Sequence, residues 1–265
     1  MGGAVIAAPV VHELSPGTAG GDLVVLAHGL EDSWESWRPL ARAFDPRWRV
    51  LALDLPWRAG NDYRWRRQGS VARWLAAGLD QLPRPADTVV AHSFGANATL
   101  ELMASGRPPA RAAVLICPLY CPPEQPITWQ VFDRARRTFD RHVRDGLRLR
   151  IGERLRTLDA AVLEAMIAKA IDRIGPAGFL TVFDQFVASG GLALTTVDTP
   201  TLILAGGADP TLSAAAAATL GRDMPRANLL VHEHYDHFCH VRHAAEVAEQ
   251  AARFVGAANR VTVRP

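Results

Sequence analysis

Residues 88–105 read TVVAHSFGANATLELMAS. The apolar run TVVA has the length of a buried strand, and beyond Ser93 the pattern changes directly to that of a helix, ANATLELMAS, with no loop between them. A strand that becomes a helix through one tight turn crowds its own backbone, so small residues are needed two before and two after the turning residue. Ala91 and Gly95 occupy those positions around Ser93. Glycine is the commoner residue at the first of them, and Ala91 departs from that. The turn sets the Ser93 hydroxyl at the amino end of a helix, where backbone donors and the helix dipole favour negative charge. The competing reading is a serine that only caps the helix.

Outward from this turn the same grammar repeats. LVVLAH (23–28), WRVLALD (48–54), AAVLICP (112–118), PTLILAGG (200–207) and ANLLVHE (227–233) read as short buried strands. Helical patterns fall at 34–44, 70–82, 94–105, 213–222 and 241–255. The alternation predicts an α/β fold with a mostly parallel central sheet flanked by helices. It stops between Pro118 and Thr199, where four amphipathic helices are expected, at about 128–145, 148–157, 159–174 and 176–188. An all-helical insertion between parallel strands sits over one end of the sheet, the end where ligand crevices form. The expected division is therefore a core of 1–117 and 200–265 with a helical cap of 118–199.

With 265 residues, 49% hydrophobic and 21% charged, the chain has material for one sizeable core. A net charge of +2, with basic residues interleaved among acids, argues against a nucleic-acid partner. The odd set Cys117, Cys121 and Cys239 indicates no disulfide framework, so reduced, buried thiols are expected. The N-terminal MGGAVIAAPVVHEL lacks a basic lead-in and is too broken for a membrane span. The expectation is a soluble cytoplasmic protein, monomeric or homodimeric, with no membrane partner and a loose tail after Gly256.

Two further stretches point to chemistry. His28-Gly29-Leu30 ends an early strand, and a turn there can aim the amide of Leu30 at the place where an oxyanion would form, opposite the amide of Phe94. Asp209 follows TLILAGGA and His237 follows the next strand, giving the order Ser, Asp, His along the chain. A serine hydroxyl becomes a useful nucleophile when a base removes its proton, and the base needs a carboxylate to fix its tautomer.

From about Leu23 to Phe254 the chain resembles the α/β-hydrolase superfamily, in the branch with a helical cap after the sixth strand. The motifs are His28-Gly29, the elbow around Ser93, Gly206-Gly207-Ala208-Asp209, and Asp236-His237-Phe238. The resemblance implies Ser93 as nucleophile, His237 as base, Asp209 as acid, the amides of Leu30 and Phe94 as oxyanion hole, and no cofactor. That branch usually has eight strands; the short N-terminal part here supplies one ahead of Leu23. A serine at the elbow argues against dehalogenase or epoxide-hydrolase chemistry, for which similar proteins carry Asp.

His232, His234, Asp236 and His237 also spell H-x-H-x-D-H, a metal-binding string. A di-metal site needs further ligands well downstream, and only His240 and His243 remain, so no metal is expected. His240 is the fallback base, and His12 has no assigned chemistry. His28, Trp34, His92, Trp57 and Trp129 are candidate pocket residues, with core packing as the alternative for the tryptophans and for His92. Arg58, Arg64, Arg66 and Arg67 read as a solvated face.

The function expected is hydrolysis of an ester or thioester of a small hydrophobic substrate, free or carrier-bound, through acyl-Ser93. A non-hydrolytic lyase or cyclase of bacterial secondary metabolism is the alternative, and an inactive ligand receptor the second.

Overall fold

The apolar runs condense into one seven-stranded sheet. A computed structural model describes residues 8–262. Its strands are β1 (Val10–Ser15), β2 (Leu23–Ala27), β3 (Arg49–Asp54), β4 (Thr88–His92), β5 (Ala112–Ile116), β6 (Thr201–Gly206) and β7 (Ala227–His232). They lie in the order β1-β3-β2-β4-β5-β6-β7, all parallel except that β1 runs antiparallel to β3. One strand precedes Leu23, so the strand that is sixth in the eight-strand pattern is β5 here.

Alternate side chains of a strand point to opposite faces, and both faces of this sheet are covered. Leu23, Val25 and Ala27 of β2 pack with Leu75, Leu100 and Leu220, which belong to α2 (Val71–Leu79), α3 (Phe94–Ala104) and α6 (Ala214–Asp223). Val24 and Leu26 pack on the other side with Leu40 of α1 (Arg38–Ala43) and with Val247 and Ala251 of α8 (Ala244–Thr262). Each Val or Leu so buried contributes about 1.5–3 kcal/mol. The expectation of a fully buried strand at 227–233 is corrected: β7 is an edge, and Leu230 and Val231 are 36% and 42% exposed.

Between β5 and β6 the chain forms α4 (Trp129–Ile151), a 3-10 turn at Gly152–Arg156, α5 (Ala160–Ser189) and a 3-10 turn at Leu194–Thr196, with no strand. Thr128 caps α4 through the amide of Val131, and Asp159 caps α5 through those of Ala161 and Val162. The expected break near residue 146 is absent. A Cβ on Gly146 would lie 3.2 Å from the Phe238 ring, so this glycine allows close packing of an unbroken helix. The expected break near 175 is present as a kink, where Gly175 takes φ 58° ahead of Pro176.

After the short α7 (Cys239–Arg242) the chain breaks at His243, and α8 then runs past Gly256 to Thr262, which corrects the expected loose tail; residues 1–7 and 263–265 lie outside the described part. Among the described residues no helix is long and apolar enough to cross a membrane. Cys117, Cys121 and Cys239 are buried and free.

Candidate active site

Ser93 sits between β4 and α3 with φ 50° and ψ −118°, a conformation that costs a non-glycine residue on the order of 1–3 kcal/mol. The fold holds it there: its amide donates to the Ile116 carbonyl across 2.9 Å. A Cβ on Gly95 would come within 2.5 Å of the Ala27 oxygen and 2.6 Å of the His28 oxygen. The second small position of the elbow is thus set by the carbonyls of the neighbouring strand end.

The loops after β6 and β7 cross at similarly close range. The amide of Gly207 donates to His232 and that of Ala208 to Tyr235, at 2.9 and 3.1 Å. A Cβ on Gly206 would lie 2.0 Å from the Tyr235 oxygen. This crossing brings Asp209 and His237 together. Asp209 Oδ2 lies 2.8 Å from His237 Nδ1, and His237 Nε2 lies 2.9 Å from Ser93 Oγ. With the Nδ1 proton directed at the carboxylate, Nε2 offers its lone pair to the hydroxyl. The other carboxylate oxygen accepts from the Thr211 amide at 2.9 Å. Burial pushes the Asp209 carboxyl up, but His237 and His142 outweigh it and hold the group well below the usual carboxylate range.

The amide of Phe94 opens α3 and so has no intrahelical acceptor. That of Leu30 follows Gly29, whose backbone is near enough to Ser93 that a Cβ there would be 3.3 Å from the Ser93 Cβ. Among the described residues neither amide has a protein acceptor.

The remaining predicted pocket residues separate. His92 does line the cavity, and its Nε2 meets the His237 carbonyl at 2.7 Å. His28 does not: it is fully buried, its Nε2 accepting from the Leu55 amide at 3.0 Å and its Nδ1 meeting the Gly29 carbonyl at 2.8 Å. Trp57 is also interior, bonded to the His28 carbonyl at 2.9 Å and packed edge-on against Phe94. Trp34 stacks on His12 with ring centroids 4.0 Å apart, away from the cavity. Trp129 is 82% exposed on the outer end of α4. His240 is buried against Trp37 and His92 rather than against Ser93 or Asp209, and burial pushes it down to about 3. The metal-like string diverges: His234 pairs with Glu246, Asp236 with Arg242, and His232 stacks on Tyr235.

Two contributors were not foreseen. His142 of α4 lies flat on His237, with centroids 3.8 Å apart and planes 5° from parallel. Val131, Ala135, Thr138, His142, Gly146 and Leu149 all line the cavity at helical spacing. That stripe was readable; which residue of it would meet the base was not. Glu31, at φ 56°, gathers Tyr63 Oη at 2.8 Å, Asn61 Nδ2 at 3.0 Å and, from α5, Arg173 at 2.5 Å. Arg150 of α4 reaches its carbonyl at 2.6 Å.

The cavity above Ser93 measures about 560 Å³, and α4 and α5 contribute Phe139, Phe179, Phe183 and Phe186 to its wall. A volume of this size suits a small organic molecule.

Among solved structures, a membrane phospholipase A described as a bacterial virulence factor is similar, at 18% identity and TM-score 0.69 over 96% of this chain and 88% of that one. A meta-cleavage product hydrolase from Pseudomonas fluorescens is 20% identical, with TM-score 0.66 over 94% of each chain. A hydrolase from Oleispira antarctica is 16% identical, with TM-score 0.65 over 94% of each. At these identities the likeness shows the fold alone. No curated protein sequence matches significantly. The profile of the alpha/beta hydrolase family matches residues 24–250, and the chain belongs to that family.

Proposed function

We propose that the protein is a cofactor-independent serine hydrolase that cleaves an ester or thioester of a hydrophobic substrate. The supporting observation is the continuous chain from Ser93 Oγ to His237 to Asp209, at 2.9 and 2.8 Å, opening into an apolar cavity. In this reading Ser93 Oγ attacks the acyl carbon while His237 Nε2 takes its proton, and Asp209 stabilises the imidazolium formed. The amides of Leu30 and Phe94 face the developing oxyanion, an interaction whose loss typically costs about 100- to 1,000-fold in turnover. Collapse expels the alcohol or thiol, which receives the proton from His237. A water molecule then gives its proton to His237, attacks acyl-Ser93, and the acid departs as Ser93 recovers its hydrogen.

Reaction with a fluorophosphonate, followed by peptide mass analysis, tests the nucleophile: stoichiometric modification of Ser93 is expected. Turnover of p-nitrophenyl esters of graded chain length tests the substrate class. Unmodified Ser93 in folded protein, or an unchanged ester turnover in Ser93→Ala, would end the proposal.

The phenylalanine-walled cover gives a second reading, in which the acyl group or another intermediate is eliminated or cyclised without water. Oxygen-18 from solvent in the released acid supports hydrolysis; its absence supports the second reading.

A further inference from the structure

We propose that His142 is a positioning residue for His237: a neutral ring laid on the face of the general base, where it favours the protonated form that arises during reaction and keeps water from the bond to Asp209. This rests on the serine-hydrolase reading and extends it to a residue supplied by the helical insertion.

The geometry carries the argument. The two imidazoles are parallel within 5° and 3.8 Å apart, so His142 stacks on one face of His237. Phe238 stands edge-on to both rings, at 6.2 Å from His142 and 5.3 Å from His237. His142 Nε2 is 3.3 Å from Thr211 Oγ1 and 3.6 Å from Asp209 Oδ1. The first is a hydrogen bond; the second is too long for one and acts as an electrostatic contact. His142 therefore touches three members of one arrangement: the base, its carboxylate, and the Thr211 that orients that carboxylate.

A neutral aromatic face attracts a cation placed over it, whereas a second imidazolium at this distance would repel it strongly. The neutral state is therefore required, and burial supplies it by pushing His142 down to about 4. The titratable groups facing the stacked pair are Asp209 after β6, Asp145 one turn along α4, His92 at the end of β4, His240 in α7 and the Cys117 thiol after β5. A residue that merely filled space could be any apolar side chain, and its charge would not touch the base.

The test uses the full chain and His142→Phe, His142→Ala and His142→Arg, following the rate of Ser93 labelling by a fluorophosphonate and the hydrolysis of p-nitrophenyl butyrate between about pH 4.5 and 8.5. Phe retains a flat ring and is expected to keep the wild-type acid limb with a rate within about 3-fold; Ala is expected to lose about 10-fold. Arg is expected to move the acid limb down by about one pH unit or more. An Ala variant as fast as wild type, together with an Arg variant whose acid limb is unmoved, overturns the proposal. Should Arg fail to fold, exchange of the downfield His237 Nδ1 proton is compared in wild type and Ala: faster exchange in Ala supports the role, equal exchange refutes it. Failure of the hydrolase reading is separately visible as wild-type protein that never labels, and the proton-exchange comparison still reports on His142 in that case.

Discussion

His92 Nε2 and the main-chain oxygen of His237 are 2.7 Å apart, so the residue immediately before Ser93 holds the backbone of His237. A carbonyl only accepts, and Nε2 must carry the proton. Burial first, then the neighbouring His240 and His237, hold His92 well below its ordinary pKa, so it stays neutral. His92→Ala removes this tie while leaving the Ser93, His237 and Asp209 side chains unaltered. A displacement of about 1 Å can cost on the order of 100-fold, and kcat for an activated ester should fall by that order. Unchanged kcat in folded His92→Ala would show that the loop needs no such tie.

Asp209→Asn keeps the shape of the acid and reverses its preference for the imidazole tautomer. The amide can present an N–H where the carboxylate accepted one, leaving His237 with its proton on the wrong nitrogen. The expected loss in kcat is about 10,000-fold, with the melting temperature little changed. Retention of even one-tenth of the activity would contradict the assigned role.

Acid should destabilise the fold well before carboxylates titrate. His28, His92 and His240 are buried and His142 largely so, and all four are depressed below the ordinary 6.5, with desolvation the largest cause; His142 reaches about 4 and His240 about 3. Between the folded and unfolded values the unfolded chain binds more protons, so stability rises with pH. Their contribution is complete above about pH 6.5 and is lost progressively as pH falls toward the folded values, by up to about 1.4 kcal/mol per pH unit for each proton. Urea midpoints should therefore drop between pH 7.5 and 5, and His240→Leu should flatten that dependence. Asp209 adds a loss of the same sign below its ordinary 3.8. A midpoint constant across this interval would refute the account.

Gly95→Ala asks for space that two carbonyl oxygens occupy, at 2.5 and 2.6 Å from the added carbon. Backbone must move, and a cost of about 3 kcal/mol is expected from overpacking. Gly146→Ala meets only the rim of a phenylalanine ring, at 3.2 Å, and should cost clearly less. Thermal melts of the two variants provide the comparison; equal melting temperatures would mean that the elbow yields.

Much of this arrangement was legible because it is local. The elbow around Ser93, the glycine pair before Asp209 and the strand end before His237 are each stated within a few positions of sequence. What was not legible depends on contacts between distant segments. Trp57 and His28 follow strands just as pocket residues do, yet the Leu55 amide and the His28 carbonyl turn them inward. Gly146 looks like a helix break until Phe238 is found against it. β7 has the composition of an interior strand, and only the sheet order makes it an edge. His142 stands in a readable stripe, but its partner lies across the insertion boundary.

Glu31 adjoins Leu30, whose amide is assigned to the oxyanion, and Glu31 is also where Arg150 of α4 and Arg173 of α5 both attach. Both helices of the insertion are therefore tied, through one residue, to the turn that carries the Leu30 amide. The roof of the cavity and the loop that follows β2 thus share one anchor, Glu31.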